Sequence, residues 1–170
     1  TEDRPRCDWG PDPLLRAYHD EEYGVTPETD AALLEMLVLE INQAGLSWLT
    51  VLRKREAFRT AFRGFDIDTV AAFDDSDRRR LLADASIIRN RRKIDAAFEN
   101  ARRFQRLRNE YGSIKRWLDG HVGKSKEEWV KLFKAHFVFT GPGITGEFLM
   151  TTGYLPFTHE PHCWLYTEAV

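Results

Sequence analysis

Cysteine is nearly absent from this chain: Cys7 and Cys163, far apart among its 170 residues, are the only two. So few thiols argue against a disulfide-stapled secreted scaffold and point to free cysteines or metal ligands. No apolar run approaches the roughly 20 residues that span a bilayer, and no charged-then-apolar leader opens the chain. The expectation is a soluble, intracellular protein with no membrane partner. Alternating apolar and polar residues of strand length are missing, as is any internal repeat, which leaves an all-α fold. Also missing are a Ser–His–Asp signature, a phosphate-cradling glycine loop, an HExxH motif and a dinucleotide fingerprint. Nucleophilic and phosphoryl-transfer enzymes are therefore poor fits. With 42% apolar and 31% charged residues, the chain is expected to form one domain over 1–170 with a substantial core.

What is present is unevenly distributed. The net charge of −2 hides a balance of −8 over residues 1–40, from three Arg and eleven acids, and of +9 over residues 78–116. A basic block of that kind is the footprint of a phosphate-binding surface, although charge runs are commonly solvated helix faces. The N-terminal arm, rich in Pro, Gly and Asp, reads as irregular with one helical turn at 14–19. Thr29 or Asp30 caps the next helix. Ser47 caps another that runs to about Phe62 and is closed by Gly64. Short helices follow at 68–73 and at 76–84, the latter capped by Ser76. A long helix over 91–109 turns Ile94, Ala97, Phe98, Ala101, Phe104 and Leu107 inward, and Tyr111-Gly112 ends it. Further helices are predicted at 113–118, 125–136 and 144–152, seven or so in all.

The most informative stretch is Met36 to Thr50. At about 100° per residue, Leu33, Leu34, Leu37, Val38 and Ile41 share one helical face, while Glu35 and Asn42 lie together on the opposite side. Glu40 joins the apolar surface instead. A buried carboxylate there needs a partner, and two readings stand: a ligand, or a backbone amide or arginine. Gly45 then breaks the helix and Trp48 follows. Tyr18, Tyr23 and Trp48 are candidate stacking surfaces for a cationic ring, worth ~0.5–2 kcal/mol each, against the default of core packing. Cys7 and His19 in one arm, with His159 and Cys163 in the other, are a donor set that closes a tetrahedral zinc site. His162 competes as a ligand, and separate surface histidines with free thiols are the alternative. Between two helical patterns, residues 85–93 can aim backbone N–H groups at a phosphate. Arg89, Arg91, Arg92 and Lys93 add charge, and Asn90 suits a left-handed turn. An ordinary basic loop is the plainer alternative.

The runs AYHDEEYG (17–24), LEINQAGLSWLTVLRKRE (39–56) and SIIRNRRKI (86–94), with the distant His159–Cys163 pair, resemble the 3-methyladenine DNA glycosylase I family in order and spacing from Arg6 to Cys163. The resemblance implies a helix–hairpin–helix bundle whose terminal arms, 1–24 and 153–166, are tied by structural Zn2+ on Cys7, His19, His159 and Cys163. It implies monofunctional removal of N3-methyladenine flipped out of duplex DNA. Glu40 falls on the carboxylate that recognises the base, and Tyr18, Tyr23 and Trp48 on its pocket. Leu46 falls beside the gap in the duplex. Ile87, Ile88, Arg89, Asn90, Arg91 and Lys93 fall on the phosphate-gripping hairpin. A monomer of bacterial type, cytoplasmic and associated with the nucleoid, is expected. Departures stand at Tyr23 (usually Trp), Leu15 (Tyr in some relatives), Ser86 (usually Gly), a shortened 122–133 segment, and Gly146-Glu147 (usually Tyr and a small residue). The shortened segment and Gly146 would admit a bulkier adduct, and Glu147 would bring a second acid near the pocket. A non-catalytic lesion-binding protein is the remaining alternative.

Overall fold

The computed structural model describes residues 4–156 and 158–168, so the extremes of the two predicted arms and Phe157 lie outside the described residues. Among the described residues ten α-helices follow one another: α1 Pro13–Glu21, α2 Asp30–Gln43, α3 Trp48–Arg53, α4 Arg55–Ala61, α5 Ile67–Ala71, α6 Asp75–Ala83, α7 Arg91–Tyr111, α8 Ile114–Asp119, α9 Lys126–His136 and α10 Pro142–Thr151. A 3-10 turn over Arg63–Phe65 links α4 to α5, and there is no strand among the described residues. The all-α expectation holds.

The centre is α2 packed against α7. From Leu33 to Asn42 every residue of α2 is buried, as the all-round apolar pattern predicts. Thr29 caps it by accepting from the Ala32 amide. At its other end Gly45 adopts φ +81°, a backbone that a side chain disfavours. The carbonyls left over there are met from α7: the Lys93 ammonium donates to Asn42 O at 3.0 Å and to Ala44 O at 2.7 Å. Along α7 the six inward positions predicted from spacing are all buried, and Gly112 at φ +91° ends the helix.

Four local expectations are corrected. The arm at 14–19 is a nine-residue helix, because Asp12 caps it and Pro13 sits at its first position. The predicted 47–62 helix is two, interrupted at Lys54; Ser47 caps the first as expected. The helix at 76–84 is capped by Asp74, which forms a capping box with Asp77, not by Ser76. Asn90 is not left-handed but extended (φ −125°), and caps α7 by accepting from the Lys93 amide.

Candidate functional site

Glu40 is 3% exposed and finds no arginine. Its Oε1 accepts from the Thr151 hydroxyl of α10 at 3.1 Å, whereas Oε2 is buried with no partner. That free oxygen belongs to a residue lining a cavity of about 390 Å³. The walls are aromatic: Trp9, Tyr18, Tyr23 and Trp48. Tyr18 and Trp48 stand 5.3 Å apart at 57°, and Trp9 packs on Tyr18 at 6.0 Å. The Trp48 Nε1 donor is also buried and unpartnered. So the lining residues carry one buried free acceptor and one buried free donor, besides several ring faces. Burial first, and the charge of nearby Glu147 second, push the Glu40 carboxyl up to about 8. Among the described residues no Lys, Arg or His lines the cavity. A flat, positively charged, hydrogen-bonding ring is the ligand that such walls suit.

The four predicted metal ligands converge. Cys7, His19, His159 and Cys163 are all buried, with their donor atoms within 4.8 Å of one another. His159 Nδ1 lies 3.2 Å from His19 Nε2, 3.5 Å from Cys7 Sγ and 3.7 Å from Cys163 Sγ, and Cys163 Sγ lies 3.4 Å from His19 Nε2. A zinc tetrahedron with the usual bond lengths has N–N and N–S edges of about 3.3–3.6 Å, so the spacing fits a metal. The other ring nitrogens are occupied as metal-bound histidines require. His159 Nε2 donates to Tyr23 O at 3.0 Å, and His19 Nδ1 pairs with Asp20 Oδ1 at 2.8 Å. Arg6, hydrogen-bonded to Asp20, holds that carboxyl down at about 2. His162 turns away and donates to Arg6 O. The cluster also braces the cavity, since Tyr18 adjoins His19 in α1 and the Tyr23 ring rests on His159.

The loop between α6 and α7 divides its predicted residues. Ile87 is core and Ile88 half-buried, while Arg89, Asn90, Arg91 and Arg92 are exposed. Lys93 is buried and its ammonium serves the end of α2, so its charge holds the turn that presents Leu46. Leu46 stands 42% exposed beyond that turn. Ser86 keeps φ negative, and its amide and hydroxyl both donate to Asp84; the absent glycine is not needed for a left-handed residue. Much of the basic block further along is paired: Arg78 with Asp95, Arg102 and Arg103 with Glu99, Arg108 with Asp68. Arg89, Arg91 and Arg92 stay exposed on this loop, and Arg79, Arg106 and Arg116 are exposed elsewhere in the block.

The sequence did not single out Trp9 or Thr151. Trp9 carried a signal in its place beside Cys7, and Thr151 lies one helical turn after Glu147. Gly146 does not widen the cavity: a side chain there would meet Lys126, with Cε 3.3 Å away.

The class that the fold and the site define is an all-helical bundle with an aromatic cavity lined by two carboxylates. The methyladenine glycosylase model matches residues 8–135, and the chain belongs to that family. It is 54% identical over 104 residues to DNA-3-methyladenine glycosylase 1 of Escherichia coli (strain K12), covering 60% of this chain and 55% of that one. The matched stretch thus spans about half the length of that curated relative. The crystal structure of a 3-methyladenine DNA glycosylase I superposes with a TM-score of 0.84 at 35% identity, covering 96% of this chain and 100% of the other. A variant of 3-methyladenine DNA glycosylase I solved in complex with 3-methyladenine gives 0.82 at 28% identity, covering 97% of each.

Proposed function

We propose that this chain is a monofunctional DNA glycosylase that hydrolyses the N-glycosidic bond of N3-methyladenine flipped out of duplex DNA. The observation that carries the reading is the buried, unpartnered Glu40 Oε2 in an aromatic cavity without a cation. A neutral adenine leaves that carboxylate uncompensated, whereas an N3-alkylated adenine brings a positive charge and an amino edge. Water adds at C1′ and gives up a proton to solvent, the C1′–N9 bond breaks, and its electron pair neutralises the departing base. As positive charge moves onto the sugar, the anionic cavity stabilises it. Tyr18, Tyr23 and Trp48 hold the ring by its faces.

Zinc is the metal that best suits two thiolates and two imidazoles, and its contribution is structural: four protein ligands close the site. The α6–α7 loop, read as a helix–hairpin–helix element, faces DNA with Arg89, Asn90 and Arg91 while its amides and Ile87–Ile88 backbone approach phosphate. Leu46 enters the space that the flipped base leaves.

Chromatography of bases released from methylated duplex DNA tests the activity. Wild type is expected to release N3-methyladenine and Glu40→Gln very little; equal release by both would remove Glu40 from its role. For the metal, His159→Ala is expected to lower bound zinc and the melting temperature together, and unchanged zinc content would strike it from the ligands.

A further inference from the structure

The cavity contains a second carboxylate that the reading above leaves without a task. Glu147 stands on α10 four residues before Thr151, so both face the cavity. Together with Glu40 and Gln43 it also lines the adjoining recess formed by Leu46 and Ile144. Of the three residues that line both, Glu147 is an exposed carboxylate and so stands at the rim, whereas Glu40 is buried. Glu147 is exposed and makes no hydrogen bond or ion pair among the described residues. Neither recess has a Lys, Arg or His in its lining. The cation nearby is Lys126 of α9, which runs over Gly146 and stays outside both. The groups facing Glu40 are Tyr18 and Tyr23 from the N-terminal side and Thr151 and Glu147 from α10, none of them positive. Two carboxylates thus line one cavity with no cationic side chain among its lining residues, and an entering cation would meet both.

We propose that Glu147 is a specificity-determining residue of the base site, pairing with the same cationic base as Glu40 from the mouth of the cavity. The inference rests on the base-site reading and deepens it. The substrate class is alkylated purines carrying a full positive charge, with N–H donors turned toward the opening. One carboxylate distinguishes such a cation from a neutral base by a single Coulombic contact, and a second, at the rim, applies the discrimination again before the base is seated. The charge of Glu147 also contributes to the raised protonation of Glu40, so an arriving cation relieves both.

The test is binding, which is independent of excision. Wild type, Glu147→Gln and Glu147→Asp are titrated, by tryptophan fluorescence, with the permanent cation N3,N9-dimethyladeninium and with neutral 3-methyladenine across a pH series. Glu147→Gln is expected to lose about 10-fold in affinity for the cation and less than about 2-fold for the neutral base. The pH at which cation affinity levels off should fall, because Glu40 loses a like-charged neighbour. Glu147→Asp should retain most of the discrimination. Equal losses for both ligands, or no change for either, would overturn the role. A wild type that ignores the cation would overturn the base-site reading itself, and this inference with it.

Discussion

Two glutamates five residues apart on α2 have opposite fates. Glu35 is buried, yet its oxygens are held by Arg55 at 2.7 Å and by Arg59 at 2.5 Å, with Glu22 completing the cluster on Arg55. Glu40 is buried too, and has one hydroxyl partner beside the cavity it lines. Burial alone raises both carboxyls; the arginine hydrogen bonds reverse the outcome at Glu35 and hold it below the ordinary glutamate range, while at Glu40 nothing does. The helix thus carries one acid that belongs to the structure and one kept for a ligand. Compensation, not depth, separates them.

The sharpest way to break the comparison is Glu40→Gln. Excision is expected to fall roughly 100- to 1,000-fold, about 3–4 kcal/mol of lost transition-state stabilisation. The same substitution should make the protein more stable. Glu40 titrates near 8 in the fold against 4.5 unfolded, so the acid is neutral in both states below about pH 4.5 and costs nothing there. The cost grows as pH rises and is complete above about 8, reaching roughly 4 kcal/mol by pH 7.5. With its amide still short of partners, glutamine should recover about half. Urea denaturation at pH 4.5 and 7.5 checks this: a gain at the higher pH only is expected, and an equal gain at both would show that ionisation is not its origin.

Substituting Glu35 by Gln should do the reverse, lowering stability by about 2–3 kcal/mol because Arg55 and Arg59 lose their shared partner. Its pH dependence also has the other sign. A carboxyl whose folded pKa is depressed contributes above its unfolded value, and the contribution is lost as pH falls through the folded one. Lowering the pH from 8 toward 4.5 therefore relieves Glu40 and leaves the Glu35 cluster intact, which weakens only at more acid pH. Excision by Glu35→Gln at neutral pH should stay near wild type as long as the protein is folded, and a large loss would mean that the two acids are coupled.

How much of this was legible beforehand depends on whether the partner was local. The apolar periodicity of α2 exposed Glu40 as an acid out of place, and residue chemistry offered Cys7, His19, His159 and Cys163 as metal ligands, with His162 competing until the family resemblance chose among them. Glu35, read from the same periodicity as lying on a polar face, is in fact buried, because the arginines that cover it come from beyond Gly45. The break at Lys54 falls among Arg53, Lys54 and Arg55, all good helix formers, so no local signal marked it. Asp74, Asp75, Ser76 and Asp77 are all competent caps, so composition could not choose among them. Pro13 after Asp12, by contrast, was a readable helix start. Lys93 looked like one more phosphate ligand in a basic run, and only the fold directs it to the end of α2.

The smallest effect carries the comparison over to the basic residues. Arg78 is engaged with Asp75 and Asp95, whereas Arg91 meets Asp95 only at 3.9 Å and is largely exposed. If unpartnered charge marks a surface kept for a ligand here too, Arg91→Ala should weaken binding to undamaged duplex by roughly 1 kcal/mol, alike for different sequences, and reduce the slope of log affinity against log salt by about 1. Arg78→Ala should leave that slope unchanged and act on stability instead. A salt titration of both variants decides between them. An unaltered slope in Arg91→Ala would return the α6–α7 loop to the class of solvated charge, with the base cavity and its two acids left as they are.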